Sequence, residues 1–217
     1  MTAKPATDRN SSNAAEEFIW DTDEHTEIHR FITKPIVDRL KAHGARDVLD
    51  LGCGNGSFSG LLVENGFNVT GLEHSSSGIQ MCRHKHPNVV FDQHDIQCPL
   101  PPTYAGLFDA VVSTEVIEHL LLPRKLIENA LKALKPGGLL VITTPYHGYW
   151  KNLALALTNK FDDHWHPLRD YGHTKFFSKR TIIALFEEYS LSDVRFETVG
   201  RISVFARSMI ISAVKKS

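Results

Sequence analysis

A doubly wound α/β domain on a parallel sheet is the fold that the sequence predicts, from three observations. Short apolar runs alternate with helical patterns over residues 46–145, the βαβα rhythm of parallel strands joined by crossover helices. The first run leads directly into a glycine turn, Gly52-Cys53-Gly54-Asn55-Gly56. The length, 217 residues, allows one sizeable core and is short for two.

Residues 1–15, rich in Ser, Thr, Asn and Ala, read as a frayed arm ahead of a single domain over 16–217. From Glu16 to His43 apolar residues recur at helical intervals, with Pro35 marking a kink or a new start and Gly44 a stop. Residues 16–44 are therefore expected to form a helical cap. Asp47–Leu51 is the first strand, and a helix runs from the glycine turn to Asn65. Asn68–Glu73 is the second strand and Ser76–Lys85 the next helix. Val89–Ile96 and Phe108–Thr114 follow as strands, then a helix over Pro123–Lys135 and a fifth strand over Gly138–Thr144. The rhythm then breaks over an aromatic and His-rich insert, residues 145–177. Within it Leu153, Ala154, Leu157 and Phe161 suggest one amphipathic helix. A helix over Lys179–Tyr189 and two strand-like runs, Val194–Val199 and Arg207–Val214, come after it.

Composition narrows the class. Hydrophobic residues at 42% and charged residues at 23% are globular values and exclude wholesale disorder. Lys plus Arg (24) nearly cancels Asp plus Glu (25), so a phosphate backbone is not the default partner. Cys53, Cys82 and Cys98 are an odd, scattered set without CxxC spacing, which argues against a disulfide framework and suits a reducing cytosol. No apolar run approaches the ~18–20 residues of a membrane span, and the first residues lack a signal peptide's apolar core. A cytoplasmic protein is expected. Of its 12 histidines, His147, His164, His166 and His173 fall in the insert.

The glycine turn departs from a dinucleotide fingerprint, whose third glycine would stand at position 57, here Ser57. Asp50, just before the turn, would repel a pyrophosphate but suits a ligand carrying an ammonium group. Glu73 ends the second strand, where a carboxylate can accept both hydroxyls of a ribose. Asp95, at the end of the third predicted strand, can accept an adenine amino group.

These residues resemble the class I S-adenosylmethionine-dependent methyltransferases. VLDLGCGNGSF is similar to their first motif, VTGLEHS to the ribose-binding segment and FDQHDI to the adenine-contacting one. FDAVVSTEVIEHL resembles the fourth-strand motif and LKPGGLLVITTP the fifth. The resemblance implies a Rossmann-like seven-stranded sheet with its last strand antiparallel, Val194–Val199 and Arg207–Val214 being the sixth and seventh strands. It also implies a cofactor site, S-adenosyl-L-methionine held by Asp50, Gly52, Cys53, Gly54, Gly56, Phe58, Glu73, His74, Asp95, Ile96, Thr114 and Glu115. Trp20 and His25 of the N-terminal cap are further candidates to cover it, while the acidic run Asp21–Glu27 reads as a solvated face.

Methyl transfer is an in-line displacement, so the enzyme must align a nucleophile with the methyl group and help it lose a proton. Glu115, Glu118 and His119 stand at i, i+3 and i+4 and would share one face of a helical turn. The same EVIEH string occurs in ubiquinone-pathway O-methyltransferases and in small-RNA 3′-terminal 2′-O-methyltransferases. The RNA group adds a downstream His before a Lys-Phe pair, and Arg169–Phe177 of this chain resembles that segment. The resemblance thus implies a site of Glu115, Glu118, His119 and His173 for a divalent cation, with Mg, Mn, Fe and Zn all open. The alternative is a metal-free site in which His119 is a general base and the acids bond backbone amides.

In related enzymes an insert after the fifth strand covers the acceptor. Tyr146, His147, Tyr149, Trp150 and Trp165 are the expected acceptor-binding residues. The leading expectation is O-methylation of a small-molecule phenol, catechol or diol. Alternatives are 2′-O-methylation of an RNA 3′ end, N-methylation of a small molecule, and a cofactor-binding regulator without catalysis.

Overall fold

The computed structural model describes residues 18–20, 27–165 and 168–216. Its sheet has seven strands: β1 Asp47–Leu51, β2 Asn68–Glu73, β3 Val90–Gln93, β4 Phe108–Thr114, β5 Leu134–Pro145, β6 Leu191–Val199 and β7 Ser208–Lys215. Their order is β3-β2-β1-β4-β5-β7-β6. The first five strands pair in parallel, while β7 runs antiparallel to both β5 and β6. This is the expected class I methyltransferase-type sheet.

The strands read as continuous apolar runs because both faces are covered. Leu49, Leu51, Val111, Leu140 and Ile142 point into one core, closed by helix α4 (Pro123–Ala133) and helix α7 (Lys179–Glu187) through Leu126, Ile127, Ile182 and Phe186. Val48, Val112 and Val141 point into the other, closed by α1 (His29–His43) and α2 (Ser57–Glu64). Ile32, Ile36 and Leu40 recur at i, i+4 and i+8 along α1 and are fully buried. Each such side chain contributes about 1.5–3 kcal/mol by leaving water. Helix α3 (Ser76–Lys85) starts at Ser75, whose hydroxyl accepts the Gly78 N–H at 3.2 Å.

Several boundaries differ from the sequence reading, each for a local reason. The helix expected from Glu16 begins at His29; residues 18–20 are not helical, and 21–26 lie outside the described residues. Pro35 sits inside that helix without ending it, and Gly44 at φ 75° closes it. The third strand stops at Gln93, not Ile96, because Asp95 Oδ1 accepts the Gln97 N–H at 2.8 Å and turns the chain. Strand β5 starts at Leu134 and α4 correspondingly ends early. A bulge absorbs the Lys-Pro-Gly-Gly stretch, since Phe108 pairs with Leu134 but Ala110 with Leu139. Strand β6 likewise begins at Leu191, across a register shift containing Asp193 at φ 50°. The single helix expected in the insert is two, α5 (Tyr149–Leu157) and α6 (Phe161–Trp165), with Asn159 at φ 52° between them. Among the described residues no helix is long and apolar enough to cross a membrane.

Candidate active site

Strand order reverses between β1 and β4, and the crevice beyond their C-terminal ends is where open α/β sheets bind ligands. The glycine turn lies there. Gly52 has φ 85°, and a Cβ on it would stand 2.7 Å from Val116, so the loop after β4 packs directly on the turn. A Cβ on Gly54 would stand 2.6 Å from the Trp20 ring. Trp20 is thereby placed over the turn, with its backbone N–H donating to Ser77 Oγ at 2.9 Å. The other expected cap contact, His25, lies outside the described residues.

The acids around the turn are held by backbone donors. Glu73 Oε2 accepts the Gly54 N–H at 2.9 Å and Oε1 the Ser75 N–H at 2.8 Å. Each oxygen keeps a second lone pair for a ligand hydroxyl. Burial raises the Glu73 pKa against these donors. Asp50 is wholly buried; Oδ2 accepts the Ser59 hydroxyl at 2.6 Å and Oδ1 has no partner. Burial pushes its pKa up to about 7. An unpartnered buried carboxylate oxygen under a glycine turn fits a ligand that brings a positive charge.

The remaining cofactor candidates divide. Gly56, Cys53 and Ile96 form the buried underside of the crevice, with Cys53 Sγ 4.0 Å from Cys82 Sγ. His74 and Asp95 are half-buried on its rim, Asp95 in the loop after β3 rather than at a strand end. Thr114 is half-buried at the end of β4. Phe58 instead belongs to the core against α1, its ring 5.5 Å from that of His29.

At the end of β4, Glu115 takes φ 55°. Only Ile117–His119 form a turn of 3₁₀ helix, so Glu115, Glu118 and His119 do not share a helical face as expected. Glu115 Oε1 accepts hydroxyls from Thr143 and Ser208, both at 2.7 Å. Glu118 is buried; Oε2 accepts the Thr144 hydroxyl at 3.0 Å, and Oε1 has no partner. The Glu118 carbonyl accepts the N–H groups of Thr174 and Lys175 at 2.8 and 2.9 Å, which fastens the segment carrying His173 to this turn. His119 Nδ1 lies 3.0 Å from the Tyr171 carbonyl. A carbonyl only accepts, so Nδ1 carries the proton and Nε2 presents its lone pair.

The result is a cluster in which the donor atoms of Glu118, His119 and His173 all lie within 4.8 Å of one another. Glu115, the fourth expected ligand, is not in it; its carboxylate is directed to Thr143 and Ser208. Burial, and then the neighbouring Glu115 charge, hold the Glu118 carboxyl well above the usual carboxylate range. Desolvation lowers the His119 pKa, which keeps the imidazole neutral. A carboxylate with a bare buried oxygen facing two imidazoles is a donor set that suits a divalent cation. Sequence reasoning missed Thr143, Thr144 and Ser208. Their signal was polar residues at the ends of otherwise apolar strands.

The match of a family model described as "Methyltransferase domain" to residues 23–195 decides the family. The chain is a class I S-adenosylmethionine-dependent methyltransferase. Among curated relatives it is 28% identical over 153 residues to a ubiquinone biosynthesis O-methyltransferase of Idiomarina loihiensis, covering 69% of this chain and 63% of the relative. It is 31% identical over 134 residues to one of Erwinia tasmaniensis, covering 58% and 54%. The methyltransferase therefore spans less than two thirds of the length of these relatives. Magnesium protoporphyrin IX methyltransferase from Synechocystis, solved with bound SAH, superposes with a TM-score of 0.64 at 19% identity, over 85% of this chain and 82% of that one.

The methyltransferase's insert divides its aromatic residues between an exposed pair and a packed group, with the His147 ring 5.1 Å from that of Phe176. Tyr149 and Trp150 are 73% and 58% exposed and pack edge-on against each other. His147 is buried, its backbone N–H donating to the Phe177 carbonyl at 3.1 Å, and burial pushes its pKa down to about 4. Trp165 packs on Phe176, and Tyr146 is half-buried where its N–H meets the Arg207 carbonyl. The opposite face of α5 instead borders a cavity of about 730 Å³ through Lys151, Ala154, Leu155 and Thr158. His166 lies outside the described residues.

Proposed function

We propose that this methyltransferase methylates a hydroxyl oxygen of a small phenol, catechol or diol, with Glu118, His119 and His173 at that oxygen and a divalent cation among them. The observation that carries the reading is the cluster in which donor atoms of Glu118, His119 and His173 lie within 4.8 Å of one another, Glu118 being buried with its Oε1 unpartnered. The similarity to relatives named as O-methyltransferases supports oxygen as the acceptor atom.

Asp50, Glu73 and Asp95 bind the cofactor's charged and polar parts, and the positive-φ glycines let the backbone approach it. S-adenosylmethionine supplies a methyl carbon activated by sulfonium. A cation at the three-residue cluster would orient vicinal oxygens and lower the pKa of a hydroxyl. The Tyr171 carbonyl holds the His119 ring in the tautomer that presents the Nε2 lone pair. With a cation bound that lone pair would ligate it and the acidified hydroxyl would lose its proton to water; without one the neutral imidazole accepts the hydroxyl proton itself. The C–O bond forms as the C–S bond breaks, the sulfonium electron pair returning to sulfur. The Glu118 carbonyl, by gripping Thr174 and Lys175, keeps His173 beside the acceptor.

The test is methylation of catechol with and without a chelator. Chelation should lower kcat/KM by roughly 10–100-fold, as expected where metal ligation supports activity, with recovery on adding Mg or Mn. Full activity in chelator, together with no loss in Glu118→Ala, would overturn the metal assignment.

The junction of His173 with Glu118 and His119 also favours a second reading, 2′-O-methylation of an RNA 3′ end, whose vicinal diol presents the same two oxygens. The near-neutral charge weighs against it. Absence of both a gel shift and 3′-end methylation on short single-stranded RNA would remove it.

A further inference from the structure

The cavity beside α5 is unbalanced in charge. Among the described residues Lys151, Arg201 and Arg207 all border it, with His164 beside them, against a single carboxylate, Glu27. Arg207 is paired with Glu27. Lys151 donates to a neutral group, the Tyr146 carbonyl, at 2.9 Å. Arg201 pairs with no carboxylate among the described residues. Half-buried Lys151 and exposed Arg201 thus border one space, with Glu115 a carboxylate that acts on Lys151 from a distance. Burial and then Arg201 push the Lys151 pKa down to about 8, while Glu115 opposes the shift.

The rest of the wall is Thr158 and three apolar side chains, Ala154, Leu155 and Phe205. The volume of about 730 Å³ is that of a small-molecule site. Two of its lining residues adjoin the strand ends that carry Glu115's partners. Arg207 directly precedes Ser208, whose hydroxyl holds Glu115, and Lys151 grips the carbonyl that follows β5.

We infer that this cavity is an anion subsite for the acceptor, in which Lys151 and Arg201 bind a carboxylate or phosphate while Ala154, Leu155 and Phe205 cover an apolar body. The inference rests on the small-molecule reading above and names the acceptor's chemistry: a hydroxylated, apolar molecule with an anionic end. Arg201 offers a planar fork matched to either anion.

The experiment is calorimetric binding of three probes to the full chain loaded with S-adenosylhomocysteine: catechol, 3,4-dihydroxybenzoate and 3,4-dihydroxybenzylphosphonate. At least one anionic probe should bind roughly ten-fold tighter than catechol, the worth of one or two charge-assisted hydrogen bonds. Whichever anion binds tighter identifies the group the site was built for. Arg201→Gln should erase the preference and leave catechol unchanged, and Arg201→Lys should restore part of it. Equal affinities, a preference surviving Arg201→Gln, or no binding of any probe would overturn the inference. Methylation measured on the same probes separates the two readings. Catechol methylated without an anion preference leaves the proposed function standing and removes the subsite. An Arg201-dependent preference with no methylation does the reverse.

Discussion

The proposed cofactor side and the proposed acceptor side of the crevice are built in different ways. On the cofactor side each acid stands at or just past the end of a parallel strand, and its partners are near in sequence. Glu73 meets Gly54, 19 residues away, and Asp95 turns on Gln97. On the acceptor side the same kind of groups are assembled from afar. Glu115 is held by Ser208 across 93 residues, and His119 by Tyr171 across 52. One half is set by sheet register and turn chemistry, the other by which loops fold over the sheet. Substitutions on the acceptor side should therefore separate chemistry from cofactor binding, and those on the cofactor side should not.

The largest expected effect tests the acceptor half. His119→Ala should lower kcat/KM by about 10²–10⁴, the range for losing a positioned proton acceptor. Affinity for S-adenosylhomocysteine, measured by calorimetry, should stay within roughly two-fold. A parallel loss of cofactor affinity would mean that the two halves are not separable. The matching test on the cofactor side is Gly52→Ala. Its φ of 85° and the Val116 side chain 2.7 Å from a new Cβ leave no relaxed position for a methyl group. The left-handed conformation alone costs about 1–2 kcal/mol, so cofactor affinity should fall roughly ten-fold or more. An unchanged affinity would show that the turn does not need glycine there.

That contrast also explains what the sequence made legible. Asp47–Leu51, Asn68–Glu73, Ser76–Lys85 and Phe108–Thr114 match the structure end for end, because buried parallel strands and a Ser-capped helix carry strong local signals. The loop expected to follow helical spacing at Glu115 did not, since a single residue at φ 55° breaks the phase on which i, i+3 and i+4 depend. His173 reached Glu118 and His119 through the Glu118 carbonyl, a backbone contact that side-chain patterning does not record. The one helix expected in the insert is two for a related reason. The left-handed break at Asn159 splits it, and Tyr149 and Trp150 on the first half are exposed.

A smaller effect sharpens the electrostatic half of the comparison. The Asp50 carboxyl, pushed up to about 7, is largely neutral at pH 6 and ionised at pH 8. A ligand carrying an ammonium group is attracted only by the ionised form, so affinity for S-adenosylhomocysteine should rise with pH through about 7. The rise cannot exceed ten-fold per pH unit for one titrating group. Asp50→Asn should flatten this profile. A profile that keeps its slope in the variant would assign the titration elsewhere.

The smallest expected effect decides which face of α5 meets the acceptor. Lys151, Ala154, Leu155 and Thr158 follow one another at i, i+3, i+4 and i+7 along the cavity side, whereas Tyr149 and Trp150 contact each other outside it. Tyr149→Ser removes a side chain that is 73% exposed. A change at such a site usually lies within about 0.5 kcal/mol in stability. Its kcat/KM on catechol should accordingly stay within roughly two-fold, about what that energy converts to. Leu155→Ser, on the same helix but facing the cavity, should cost more, since a buried apolar contact with an acceptor is worth about 1–3 kcal/mol. The pair is informative because both substitutions remove apolar surface from one helix and differ only in the side they occupy. A greater loss from Tyr149→Ser than from Leu155→Ser would turn the helix around and return the acceptor to the aromatic face.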